Sequence, residues 1–135
     1  MSDLDDDRVQ PALHAMLADD VEALRSTIDA DPEIALKPWN GNTLLEWTTQ
    51  PPHHINPAIV TTLIDAGSPV DRALNLAGCW NLAELCTQLL DAGANPENRA
   101  DADITPLESA ALHGATRSAD VLVTHGLHRH SLWLA

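Results

Sequence analysis

A chain of 135 residues with 44% hydrophobic content can build one domain with a continuous core, or one short repeat array. Its formal net charge is −13. Nucleic acid and anionic membrane surfaces are bound by clustered cations, so the scattered Arg8, Arg25, Lys37, Arg72, Arg99, Arg117 and Arg129 set both aside.

Aromatic residues are four Trp with no Phe and no Tyr, which leaves the core to Leu, Ile, Val and Ala. Residues 1–8 read as an acidic, disordered leader. The first helix is expected over 9–17 and the second over 19–30, with Val21, Leu24 and Ile28 on one face. Asp19 or Asp20 can cap the second helix, and Asp31-Pro32 ends it. Trp39-Asn40-Gly41-Asn42 is a turn signal, after which Thr43 caps a helix over 44–49. Gln50-Pro51-Pro52-His53-His54 breaks that helix, and Asn56-Pro57 starts the next as a cap followed by Pro at the first helical position. Ile59, Val60, Leu63 and Ile64 form its buried stripe, and Gly67 stops it.

A short helix is expected over 72–78 and a strongly periodic one over 81–92, where Leu82, Leu85, Cys86, Leu89 and Leu90 share a face up to the stop at Gly93. Thr105-Pro106 opens another helix, Gly114 turns the chain, and a last helix carries Ala119, Leu122 and Val123 to Gly126. Residues 127–135 are left to cover the exposed end, with Leu132, Trp133 and Leu134 as the covering groups and Trp133 as a route to self-association. Cys79 and Cys86 read as buried thiols of a reducing compartment. Without an apolar stretch of membrane-spanning length or a signal-type N-terminus, the sequence predicts a cytoplasmic protein.

One phrase recurs at the helix ends. Leu63-Ile64-Asp65-Ala66-Gly67 returns as Leu89-Leu90-Asp91-Ala92-Gly93, with a weaker copy at Ile28-Asp29-Ala30-Asp31 and a fourth at Leu122-Val123-Thr124-His125-Gly126. The step from Gly93 to Gly126 is 33 residues. Thr105-Pro106-Leu107 with Ala110-Ala111 and Gly114, followed by Leu122-Val123 and Gly126, resembles the ankyrin repeat signature, and Gly41-Asn42-Thr43-Leu44-Leu45 is similar to its opening. Asp20-Val21-Glu22-Ala23-Leu24-Arg25 with Asp29-Ala30-Asp31-Pro32 resembles the N-terminal repeats of small bacterial ankyrin proteins. The resemblance implies an all-α solenoid of about four degenerate repeats, near 9–32, 41–67, 70–93 and 103–126, forming one domain over 9–135. Only five positions separate Gly67 from Arg72, against twelve from Gly93 to Thr105, so one inter-repeat finger is nearly deleted.

The same resemblance implies a non-catalytic module that binds a macromolecular partner, a protein presenting basic or apolar groups, on its first helices and fingers. Carried over by position, that surface takes Trp39, Asn40, Asn42, Trp47, Trp80, Asp101, Ile104, Leu112 and His113. Trp39 and Trp80 are the candidate anchors, since Trp desolvates a large stiff surface, and packing between repeats explains either equally well. Glu46, Asn75 and Glu108 occupy equivalent first-turn positions, with His14 at the start of the array. A pocket at the shortened finger could make Glu46, Glu108 and His14 an acid/base set, one carboxyl being raised by its neighbours. Against this, a first-turn Glu already suits the helix dipole and the local backbone amides. His53-His54 and His128-Arg129-His130 lack the partners that a metal ion needs, so neither metal nor cofactor is expected.

Overall fold

The structure is a computed structural model that describes residues 9–38, 41–50 and 55–134, with side chains to residue 125. The leader, Trp39, Asn40, the Pro51-Pro52-His53-His54 segment and the side chains of His128, Arg129, His130, Leu132, Trp133 and Leu134 lie outside the described residues. Secondary structure is helical: α1 Gln10–Leu17, α2 Val21–Ala30, a 3-10 turn Pro32–Ala35, α3 Leu44–Trp47, α4 Pro57–Asp65, α5 Asp71–Cys79, α6 Ala83–Asp91, α7 Pro106–Leu112 and α8 Thr116–Leu134. Among the described residues there is no strand; an isolated bridge joins Asp101 and Ile104. The chain divides into two compact units, residues 1–69 and 70–135.

The first unit packs α1 against α2, and α2 against both α4 and the 3-10 turn. The adjacent aspartates split two tasks. Asp19 adopts a left-handed φ of 56° after α1, while the Asp20 side chain accepts the Ala23 amide at 3.0 Å as the cap of α2. Leu24 and Ile28 face the core as expected, and Val21 is half-buried. The 3-10 turn was not legible in the pattern; it buries Ile34 and Ala35, and the Ala35 carbonyl accepts the Ser68 hydroxyl at 2.6 Å. Asn56 caps α4 through the Ala58 amide, with Pro57 in the first turn.

In the second unit α5 lies between α6 and α7, and α8 packs on α6 and α7. α5 and α7 run side by side in parallel, because their contacts climb together: Asn75 Nδ2 donates to the Ile104 carbonyl at 2.9 Å, Gly78 faces the Pro106 carbonyl, and Cys79 reaches Ser109. Ser118 at the start of α8 ties in from the other side. Its amide donates to Asn81 Oδ1 at 3.1 Å and its hydroxyl sits 3.7 Å from Cys86 Sγ. Burial pushes the Cys86 thiol up to about 11, and also raises Cys79, against the hydrogen bonds from Ser118 and Ser109.

One helix ending is built five times. After α1, α4, α5, α6 and α7 the residues Asp19, Gly67, Asn81, Gly93 and Gly114 all take positive φ. In each case the next residue returns its amide to a carbonyl five positions back: Asp20 to Ala15, Ser68 to Leu63, Leu82 to Ala77, Ala94 to Leu89 and Ala115 to Ala110, at 2.8–3.1 Å. Asn81 is therefore a stop and not the start of α6, which begins at Ala83. One glycine expected to stop a helix does not: α8 runs through Gly126 to Leu134, while α5, expected over 72–78, spans 71–79 and carries Gly78 inside it. A glycine inside a helix costs about 1 kcal/mol relative to alanine, and α8 carries that cost.

The loop between α6 and α7 is pinned by polar groups. Asp71 Oδ1 accepts the Asn95 amide at 2.8 Å, and Asn98 Nδ2 donates to the Asp71 carbonyl at 3.0 Å. Its tip turns at Ala102 (φ 56°) and Asp103 (φ 59°), closed by the Ile104 amide on the Asp101 carbonyl at 3.3 Å. Two consecutive positive φ values define a turn that favours Gly or Asn, and Ala102 is strained there. Ala102→Gly should therefore stabilise the protein by about 0.5–1 kcal/mol. A urea midpoint below that of the wild type would contradict this turn geometry.

Candidate interaction surface

The equivalent Thr-x-x-Glu segments build one local structure twice, once in each unit. In α3 the Thr43 amide donates to Glu46 Oε1 at 3.0 Å while the Glu46 amide returns to Thr43 Oγ1 at 3.4 Å. In α7 the Thr105 amide donates to Glu108 Oε1 at 3.1 Å and the Glu108 amide to Thr105 Oγ1 at 3.2 Å. Both are capping boxes, which satisfy helix-end amides that nothing else would bond. Glu46 is buried, and the Thr49 hydroxyl donates to its carbonyl at 2.6 Å. Glu108 is solvent-facing and also pairs with Arg99 at 3.6 Å.

Bonds from Thr105, its backbone amide first and its hydroxyl second, hold the Glu108 carboxyl below its ordinary value, and Arg99 adds to this. A general acid at neutral pH needs the opposite shift. Sign matters for stability too: this contribution is present above the ordinary carboxylate pKa and is lost as pH falls through the lowered one. His14 is exposed in the last turn of α1. Glu46 and His14 belong to the first unit, Asn75 and Glu108 to the second.

Asn75 does not share that first-turn position: α5 starts at Asp71 after Val70, which gives no side-chain cap, so Asn75 is the fifth residue of its helix where Glu46 and Glu108 are the third after their caps. The Asn75 side chain is fully buried, and beyond the bond to Ile104 its Oδ1 has no partner among the described residues. Asp101 joins the same neighbourhood through its ion pair with Arg72 at 3.5 Å, and Arg99 Nη1 donates to the Asp103 carbonyl at 2.9 Å. Asn75, Asp101 and Ile104 are thus brought together, with Ile104 contributing its backbone oxygen to α5.

The remaining expected contact residues are placed as follows. Trp80 closes α5 with 42% of its surface exposed, and Leu112 closes α7 at 73%. His113 follows Leu112 in solvent, with Nδ1 2.8 Å from the Ser109 carbonyl. Since α5 and α7 are parallel, Trp80, Leu112 and His113 sit at corresponding ends of neighbouring helices. Trp47 and Asn42 are half-buried in the first unit. Sequence reasoning missed Arg72 and Arg99, because scattered cations give no periodic signal until the loop folds back. It also placed Val123 among the core residues, and 44% of that side chain is exposed. Among the described residues no three His, Cys, Asp or Glu side chains are arranged to hold a metal ion, and no helix is long and apolar enough to cross a membrane.

No protein-family model matches the chain, and no curated protein matches it.

Proposed function

We propose that this protein is an ankyrin-type array of about four degenerate repeats, working as a non-catalytic module that binds a protein partner. The observation that carries the reading is the recurrence of one helix ending, with Asn81 and Gly114 occupying the same backbone conformation 33 residues apart. The parallel seating of α5 and α7 and the twice-built capping box support it further. Within this reading the sequence shortens one finger to the stretch between α4 and α5. Repeat arrays of this kind act through extended surfaces. In the second unit that surface is the Trp80, Leu112 and His113 edge with the Asp101–Ile104 loop, and in the first its anchor is Trp39. Charge makes a basic or apolar partner the favoured one, and two free thiols suit a reducing cytoplasm.

Capture of partners from a lysate tests this. Trp80→Ala and Trp39→Ala should each lose the captured protein while the circular dichroism spectrum stays that of the wild type. An unchanged captured set with both Trp removed would sink the proposed surface. The acid/base alternative has no comparable support, since both of its carboxylates are engaged in capping their own helices.

A further inference from the structure

We propose that residues 95–103, between α6 and α7, form a strap that opens and closes on α5 as one unit, with Asp71 as its latch. The opening does not rest on the partner-binding reading. Both ends of the strap are anchored: the Ala94 amide donates to the Leu89 carbonyl, and the Ile104 carbonyl is held by Asn75. Between these anchors every third residue turns to α5. Asn95 gives its amide to Asp71 Oδ1, Asn98 gives Nδ2 to the Asp71 carbonyl, and Asp101 pairs with Arg72. Pro96 is half-buried, the other residues between face solvent, and no residue of the strap is fully buried. Closure is therefore held by polar links and not by a core, the condition under which a segment opens apart from the helices around it.

The links are wired in series. Asn98 Nδ2 also donates to the Asn95 carbonyl at 2.7 Å, and Asn98 Oδ1 accepts the Ala100 amide at 3.0 Å. Asn95 Oδ1 accepts the Glu97 amide at 2.9 Å. Loss of the Asp71 carboxylate thus frees Asn95, and through it Glu97, Asn98 and Ala100. A carboxylate accepting a backbone amide makes a stronger bond than two neutral groups do, so Asp71 outranks the other links. On the far side Arg99 ties the strap to Glu108, but those side chains are 55% and 50% exposed, where an ion pair holds little. The tip favours opening, since Ala102 keeps its left-handed φ of 56° in the closed strap and lifting relieves that strain. Lifting also parts Asp101 from Arg72 and bares the first turn of α5. Where the Asp101–Ile104 loop serves as partner surface, the strap decides when that surface exists; this consequence alone rests on the partner-binding reading.

Amide hydrogen exchange of the full chain, followed by NMR at low urea concentrations, measures the opening. In the wild type the Asn95, Asn98, Ala100 and Ile104 amides should share one protection factor within about threefold and respond little to urea, because a strap without a core exposes little surface. The Cys86 and Ser109 amides, inside α6 and α7, should instead follow the steep urea dependence of global unfolding. Asp71→Ala should lower protection at Ala100 and Ile104 by about fivefold or more, although neither amide touches Asp71. Asn98→Ala leaves the α5 sequence intact and should do the same at Asn95 and Ile104; it replaces Asp71→Ala if that variant does not fold. Strap amides that follow the urea slope of Cys86 would mean that the strap opens only with the whole protein. An Ile104 amide that neither variant alters by more than about twofold would mean that the links act one by one. Either result overturns the proposal, and neither depends on a partner being captured.

Discussion

Gly78→Val should lower the stability of the protein by about 3 kcal/mol, enough to shift a urea midpoint by more than 1 M. A Cβ at Gly78 would stand 3.1 Å from the Pro106 carbonyl oxygen and 3.8 Å from Leu122 Cδ1. The first neighbour is backbone, so it cannot swing aside as a side chain would. It also belongs to the start of α7, which is fixed by the Thr105–Glu108 capping box and by the Asn75–Ile104 bond. Valine adds two methyl groups beyond that Cβ, and α7 must then move away from α5. Gly78→Ala separates the two opposing effects: alanine recovers about 1 kcal/mol of helix propensity, and the tight contact returns a comparable loss. A valine variant within 1 kcal/mol of the wild type would show that α5 and α7 do not approach as described.

Asn75→Asp should be tolerated at acid pH and cost roughly 3–5 kcal/mol at neutrality. The substitution keeps the shape and removes the amide donor that Ile104 uses, at a fully buried position where Oδ1 already lacks a partner among the described residues. A protonated carboxyl at this position can still donate its hydroxyl to the Ile104 carbonyl; an ionised one faces it with like charge. Burial therefore raises the folded pKa above the unfolded value near 3.9, and the folded state binds the extra proton. The added stability is present below about pH 4 and is lost at about 1.4 kcal/mol per unit as pH rises, until the folded group itself ionises. Denaturation curves at a series of pH values between 4 and 7 measure the slope. Asn75→Ala supplies the comparison, because it removes the same donor without a titratable group. Parallel pH profiles for the two variants would mean that position 75 is solvated.

Helix starts with a side-chain cap were the most legible part of the molecule, whereas α6, which has none, begins two residues after the expected Asn81. Thr43, Thr105 and Asn56-Pro57 act as caps in the structure because the bonds involved close within two or three residues, and nothing distant can alter them. Periodicity located the core of α6 for a similar reason: Leu85, Cys86, Leu89 and Leu90 fall on one side of any helix that forms there, and all four are buried. Stops were harder. Glycine at positions 67, 93 and 114 ends a helix, yet Gly78 and Gly126 lie inside one, and Asp19 and Asn81 stop helices without being glycine. Residue type alone states which conformations are accessible, and neighbouring segments decide which is taken.

Glu46 and Glu108 show the same division. Their equivalent places and capping chemistry followed from the Thr-x-x-Glu spacing, and their environments did not: Glu46 is buried, while Glu108 lies in solvent beside Arg99. Amino-acid order by itself determined the capped helix starts, the apolar stripes and the 33-residue echo, since each arises from bonds and side chains within a few turns of one segment. Only tertiary packing decided that Asn75 would be buried against Ile104, that Gly78 would admit the backbone of α7, and that Leu107 and Leu112 would be left facing water. Those outcomes depend on which helix comes to lie against which, and residues about thirty positions apart carry no local mark of their meeting.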